Sequence, residues 1–167
     1  MTQNYKTIYL LRHGKSAWDH PEIQDIKRKL LKKGIQRTQR IANYLKEINV
    51  KIDIVISSPA VRALNTANII CKSLNLPEPI IHRNLYPCSS DEIYDSIISV
   101  DDSLNNVMIV AHNPGISYFA QEYFSNTIEQ FHTSGIASCR FYTNSWSEFS
   151  LADKKLNFVV SPKKLKQ

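Results

Sequence analysis

Missing from this chain are the marks of a secreted scaffold, a membrane protein or a zinc centre. Its three cysteines, Cys71, Cys88 and Cys139, are odd in number, far apart and never spaced Cys-x-x-Cys. That argues against a disulfide framework or a structural metal and makes a reducing cytoplasm the expected compartment. No apolar run approaches the roughly 20 residues needed to cross a bilayer. The opening stretch, Met1 to Leu11, lacks a basic segment followed by an apolar core and a small-residue cleavage site, so no signal peptide is expected. No Gly-x-Ser-x-Gly elbow exists, which removes Ser16 and Ser57 as nucleophiles. There is no internal repeat, low-complexity linker or break in composition. One domain over residues 1–167 is expected, ending in a basic, solvated tail at about 161–167.

What is present is ordinary in amount and unusual in placement. Of 167 residues, 43% are hydrophobic and 22% charged, enough for one sizeable core. The net charge is +6. Much of that excess lies in "KRKLLKKG" (Lys27 to Gly34) and in "SPKKLKQ" (Ser161 to Gln167), with no aromatic side chains interleaved. A single-strand nucleic-acid binder would want such interleaving; attraction to acidic or phosphorylated protein surfaces accounts for the charge equally well.

Apolar β-rich runs alternate with helical patterns. Strands are predicted over Thr7–His13, Ile52–Ser58, Glu78–Arg83 and Asn105–His112, with late strands at Ala137–Thr143 and Leu156–Ser161. Helices are predicted over Ile35–Ile48, Ala60–Leu74, Ser90–Val100 and Gly115–Phe124. The first uses Ile35, Ile41, Ala42, Leu45 and Ile48 as its apolar face. His20–Lys33 reads as a surface excursion. This alternation implies a three-layer α/β/α domain around a mostly parallel sheet.

Three of the strands end in polar functional groups where the chain turns toward a helix: "RHGK" (Arg12 to Lys15), "SSPAVR" (Ser57 to Arg62) and "AHNPG" (Ala111 to Gly115). Ligands of open parallel sheets bind at the carboxyl ends of strands, so these pieces are expected to converge. Gly14 allows close backbone approach and an unusual turn after His13. Ser58 and Pro59 suit the N-cap and first position of the second helix. That puts Arg62 on its first turn, with Thr66 on the same face. The inventory is two histidines and at least two arginines without a carboxylate. Such a set repels cations and binds phosphate through guanidinium forks, so no metal or other cofactor is expected. A histidine in an anion site can act as a nucleophile toward phosphorus. Lys15 is expected to face solvent, Trp18 and Trp146 to pack or form a rim. His20, His82 and His132 fall in no comparable motif.

Together these motifs, with "LRHGKSAWDHPEIQDIKRKLLKKG", "LYPCSSDEI" and "FHTSGIASCRF", resemble the histidine phosphatase (phosphoglycerate mutase-like) superfamily, and within it the small SixA-type phosphohistidine phosphatases. The resemblance spans about Lys6 to Pro162. It implies that His13 is the nucleophile carrying a phosphohistidine intermediate, that Arg12 and Arg62 bind phosphate, and that His112 contacts the transferring group. Arg28 matches the arginine of the SixA-type loop, although Lys29 stands where proline is usual. Arg28 and Asn113 are taken as substrate-binding, with turn-shaping the alternative for Asn113.

Larger relatives carry a glutamate in a Leu-x-Glu pattern after the third strand as general acid; this chain has Leu85-Tyr86-Pro87. An alkoxide leaving group needs a proton donor, whereas an imidazole leaving group needs less help. The expectation is therefore a metal-independent hydrolase acting on phosphohistidine of a phosphotransfer or phosphocarrier protein, with Asp91 or Glu92 as minority candidates for an acid. The alternatives are a phosphatase for small phosphorylated metabolites and a non-enzymatic phosphohistidine-binding scaffold.

Overall fold

The computed structural model describes residues 4–18 and 20–166. The apolar runs form six strands in one sheet: β1 (Lys6–Arg12), β2 (Ile54–Ser57), β3 (Ile80–Ile81), β4 (Asn106–Ala111), β5 (Ile136–Phe141) and β6 (Lys154–Val160). Their order is β3-β2-β4-β1-β5-β6. β1, β2, β3 and β4 pair in parallel, while β5 runs antiparallel to β1 and β6 antiparallel to β5. Helices α1 (Lys32–Glu47), α2 (Val61–Ser73), α3 (Ser90–Ile98) and α4 (Gly115–Tyr123) make the crossovers. α1 and α2 pack together on one side, α3 and α4 on the other. This is the expected single α/β domain with a mostly parallel sheet.

Strand alternation divides the core. Ile8 and Leu10 of β1 point into a cluster with Val107, Ile109, Ile116 and Phe119. Tyr9 and Leu11 point the other way, against Met108, Val110, Ile41, Leu45 and Ile70. A sheet buried on both faces explains why its strands read as continuous apolar runs. Among the described residues no helix is long and apolar enough to cross a membrane.

Several boundaries differ from the sequence reading, each for a local reason. α1 begins at Lys32, three residues early. Its N-cap, Leu31, makes no side-chain capping bond. The helix start is instead tied by tertiary contacts: Leu31 N–H donates to the Lys15 carbonyl at 2.9 Å, and Ser16 bridges to Leu30. Ile35 and Ile48 lie exposed; the buried face is Gly34, Thr38, Ile41, Ala42 and Leu45. α2 begins at Val61, so Ser58 is not its N-cap and Pro59 is not its first residue. α3 is capped by Ser89, whose backbone N–H donates to the Glu92 carboxylate at 2.8 Å in a capping box. The tail is not a frayed end as far as Lys166: Pro162–Lys164 form a short turn, Pro162 is buried and Leu165 packs on the α1–α2 side of the core. Gln167 and Met1–Gln3, the start of the stretch on which the signal-peptide reading rests, lie outside the described residues.

Gly34 holds the exit of β1 against α1. A Cβ there would stand 2.2 Å from the Lys15 carbonyl oxygen and 2.8 Å from its nitrogen. Both are backbone atoms that a rotamer change cannot move. In an unobstructed helix interior, Gly→Ala stabilises by about 1 kcal/mol. Here the backbone clash dominates. Gly34→Ala is expected to destabilise by about 3 kcal/mol, a fall of about 6–12 °C in Tm for a domain of this size. Thermal denaturation checks this, and a raised Tm would show that the contact yields.

Candidate active site

The β1–β4 register places Arg12 opposite Ala111. The next residue on each strand, His13 and His112, therefore leaves the sheet side by side, with ring centroids 5.0 Å apart. His13 N–H continues the pairing to the Ala111 carbonyl at 3.1 Å. β2 ends one strand away, and Ser58 Oγ lies 2.7 Å from His112 Nε2. The same hydroxyl accepts from Ala60 N–H at 3.2 Å, so Ser58 serves the histidine and the turn rather than capping α2.

His13 Nδ1 lies 2.7 Å from the Gly14 carbonyl oxygen. A carbonyl only accepts, so Nδ1 carries the proton and Nε2 keeps its lone pair. Gly14 N–H donates to Thr66 Oγ1 at 2.9 Å, and that hydroxyl donates to the Arg62 carbonyl at 2.7 Å. The shared face of Arg62 and Thr66 thus docks α2 on the loop after His13. Gly14 does not have a positive φ, so of the two expected uses of this glycine only close approach applies: an added Cβ would stand 2.9 Å from Thr38 Oγ1. Ser134, at φ 59°, donates its N–H to the carbonyls of both Arg12 and His13, each at 3.1 Å.

Arg12, Arg28 and Arg62 line one cleft of about 490 Å³ with both histidines. Arg12 donates to the Phe131 carbonyl at 2.8 Å. The Nε atoms of Arg12 and Arg62 and the Nδ1 of His112 are buried without a hydrogen-bond partner. The excursion before α1 brings Arg28 inward: it is 9% exposed, with Nη1 on Ser16 Oγ at 2.7 Å and on the Ala17 carbonyl at 3.0 Å. Trp18 stacks over its guanidinium at 3.6 Å and forms the rim. Asn113 also lines the cleft, but its amide is engaged, donating to the Phe131 carbonyl at 2.9 Å and accepting from Ser117. Its contacts favour the turn-shaping alternative.

Further residues of the site escaped the sequence reading. Asp25 lies in the cleft, its carboxylate on Arg28 Nε at 2.9 Å and Arg62 Nη2 at 3.1 Å, with Tyr86 Oη as a third donor. The available signal was its spacing, three residues before Arg28. Tyr86 and Ser134 carried none. His132 stands at the rim without a motif of its own. Lys15 is exposed, as expected, yet it too lines the cleft mouth. Asp91 and Glu92 do not line it; Glu92 is used in the α3 cap. Among the described residues no three His, Cys, Asp or Glu side chains form a metal-binding group.

The electrostatics follow from burial. Desolvation, followed by the charges of Arg62, Arg12 and Arg28, outweighs the Gly14 hydrogen bond and lowers His13 to about 4. Desolvation, His13 and Arg62 lower His112 to about 3. Burial pushes Asp25 up, but the hydrogen bonds from Tyr86 and Arg28 and the charge of Arg62 prevail and hold it near 2. Near pH 7 His13 and His112 are therefore neutral imidazoles, set beside the Asp25 carboxylate and the guanidiniums of Arg12, Arg28 and Arg62.

A family model described as the histidine phosphatase superfamily (branch 1) matches residues 8–87. The chain is 30% identical over 135 residues to the phosphohistidine phosphatase SixA of Escherichia coli strain K12, covering 78% of this chain and 83% of that relative. The solved structure of the protein histidine phosphatase SixA complexed with tungstate matches with a TM-score of 0.80 and 29% identity, over 96% of this chain and 99% of that one. The fold extends to a phosphoglycerate mutase from Bacillus anthracis, at a TM-score of 0.65 and 14% identity over 89% and 96% of the two chains.

The lowered histidines set a measurable direction. Each is neutral in the folded protein and takes up a proton near pH 6.5 once unfolded, so the unfolded state binds more protons as pH falls. The contribution of these two groups to stability is present above pH 6.5 and is lost as pH falls from there toward about 4 and 3. Imidazole resonances of His13 and His112 are expected to titrate near 4 and 3 in an NMR pH series. Midpoints near 6.5 would mean that the rings are solvated.

Proposed function

Because the chain belongs to the histidine phosphatase superfamily, we propose that it hydrolyses phosphohistidine on a partner protein through a phosphoryl group carried on His13. The observation that carries this reading is the His13 ring itself. Its proton is held on the Gly14 carbonyl, and its free nitrogen stands in a cleft lined by the guanidiniums of Arg12, Arg28, Arg37 and Arg62. Similarity to the relatives named phosphohistidine phosphatase and protein histidine phosphatase supports the substrate class. The tungstate in one of them is a tetrahedral oxyanion like phosphate.

In the first step His13 Nε2 attacks phosphorus in line with the departing imidazole nitrogen. The P–N bond of the substrate breaks, its electron pair returning to that nitrogen, and a P–N bond to His13 forms. Both rings keep the proton on their other nitrogen, so the substrate's imidazolium leaves as neutral imidazole and the positive charge passes to His13. In the second step water attacks phosphorus and the bond to His13 breaks. Phosphate leaves as the monoanion with both hydrogens of the water. Arg12, Arg62 and Arg28 stabilise the equatorial oxygens throughout, and the unpartnered Nε atoms of Arg12 and Arg62 gain acceptors they lack in the free protein. His112 is held by Ser58 through Nε2, and its buried Nδ1, without a partner in the protein, is the atom assigned to the transferring group. Charge stabilisation rests on guanidiniums, and the reaction is assigned no metal.

The surroundings fit a macromolecular substrate. Lys15, Arg37 and Lys163 ring the mouth beside Trp18, an arrangement that receives an acidic face of a protein. Cytoplasmic phosphotransfer or phosphocarrier proteins are the partner class proposed. Small phosphate esters suit the cleft less, because its one carboxylate among the described residues is held ionised and has no proton to give an alkoxide.

With a phosphohistidine-bearing protein as substrate, His13→Ala is expected to lower kcat by at least about 10³-fold. Rapid quench of the wild type should trap label on His13 that is stable in base and lost in acid. Chelator should leave the rate unchanged. Equal turnover by the His13→Ala variant would refute covalent catalysis at this residue.

A further inference from the structure

The two imidazoles of the first step are chemically equivalent, but the protein visibly provides for only one of them. His13 keeps its Nδ1 proton on the Gly14 carbonyl. The departing imidazole also leaves well only while its far nitrogen is protonated, and that N–H needs an acceptor. Asp25 supplies the one carboxylate lining the cleft among the described residues. Its oxygens receive Arg28 Nε at 2.9 Å, Arg62 Nη2 at 3.1 Å and the Tyr86 hydroxyl. A carboxylate offers about four acceptor positions, so three donors leave one open. The side chain is 46% exposed and faces the mouth, the side from which a substrate side chain must enter.

We infer that Asp25 is a further catalytic residue, a fixed anion that accepts the N–H of the departing imidazole and makes the site selective for nitrogen-linked phosphate. Binding of the phosphoryl group engages Arg62 and Arg28, which frees acceptor positions on the same carboxylate at that moment. The proton does not move: it stays on the leaving ring, and the carboxylate stabilises the imidazolium that precedes P–N cleavage. A carboxylic acid at this place would serve an alkoxide by donating a proton. An ionised carboxylate serves only a leaving group that brings its own. The guanidiniums and Tyr86 keep Asp25 in that ionised state. Glu92, the nearest sequence candidate for an acid, is tied to the α3 cap.

This rests on the proposed function and goes one step further, so its test uses two substrates. N-phosphohistidine has a leaving group with an N–H. p-Nitrophenyl phosphate leaves as a stabilised anion with none. Asp25→Asn is expected to lower kcat/KM for phosphohistidine by more than tenfold while changing that for p-nitrophenyl phosphate by less than threefold. Asp25→Glu should restore most of the phosphohistidine activity. If Asp25 only holds Arg28 and Arg62 in place, Asp25→Asn lowers both substrates alike, and the inference fails while the proposed function stands. Unchanged rates on both substrates also overturn it. A wild type that hydrolyses p-nitrophenyl phosphate and leaves phosphohistidine intact overturns the proposed function and this inference together.

Discussion

Parallel pairing of β1 with β4, with Arg12 opposite Ala111, sets the spacing of everything at the carboxyl edge of the sheet. Parallel neighbours end at the same edge, so the residue after each lands beside its counterpart, and His13 meets His112. A slip of one residue would turn every side chain to the opposite face. The core forbids it: Ile8, Leu10 and Leu11 are fully buried on two different faces. The same edge receives Ser58 from β2, and the β5 side returns Ser134 to bind the Arg12 and His13 carbonyls. Ser134 does so in the left-handed region, a conformation that costs a non-glycine residue about 1 kcal/mol. Packing around it, including Thr38 Oγ1 at 2.8 Å from its hydroxyl, holds it there.

Converging cations follow from that geometry and give the cleft its positive charge. Arg12 is depressed by burial and then by Arg62. Arg62 sits on the first turn of α2, where the helix dipole is already positive. Neighbouring carbonyls and Asp25 offset part of this, through Phe131, Ala17 and the Asp25 backbone at 2.7–3.0 Å. The Nε atoms remain unsatisfied. A tetrahedral oxyanion meets both the charge and the fork geometry of such donors. In a desolvated cleft each of these contacts is stronger than it would be in water.

The apolar runs made the strands legible, since a sheet buried on both faces has little freedom in composition. The three strand-end motifs were legible for the same reason: polar groups directly after such runs have few places to go. Contacts between distant segments were not. Lys32 starts α1 because Leu31 meets the Lys15 carbonyl, with two lysines opposing the helix dipole and no cap to announce it. Ser58 reads as an N-cap, and its hydroxyl is taken by a histidine 54 residues away. The basic tail reads as solvated, yet Pro162 is buried against the domain and Arg40 donates to its carbonyl. Arg28 was placed by resemblance alone. Asp25, which holds it, was passed over because an acid on a surface excursion looks like any solvated charge, and only its spacing from Arg28 set it apart.

That excursion shows how the site and its loop order each other. Between Trp18 and Leu30 the apolar residues contribute little: Ile23 is exposed and Ile26 only half-buried. Hydrophobic burial therefore cannot hold the segment. Its anchors are the Ser16–Leu30 bridge, Arg28 on Ser16, and Asp25 on Arg62 and Tyr86. Exposed ion pairs are weak, but here the Arg62 partner is buried and its charge is needed elsewhere. The donors that fasten the loop are the donors proposed to receive a phosphoryl group. On that proposal an oxyanion in the cleft exchanges one set of anchors for another, and the loop stays docked because Arg28 and Arg62, both already in contact with Asp25, then share the anion as well.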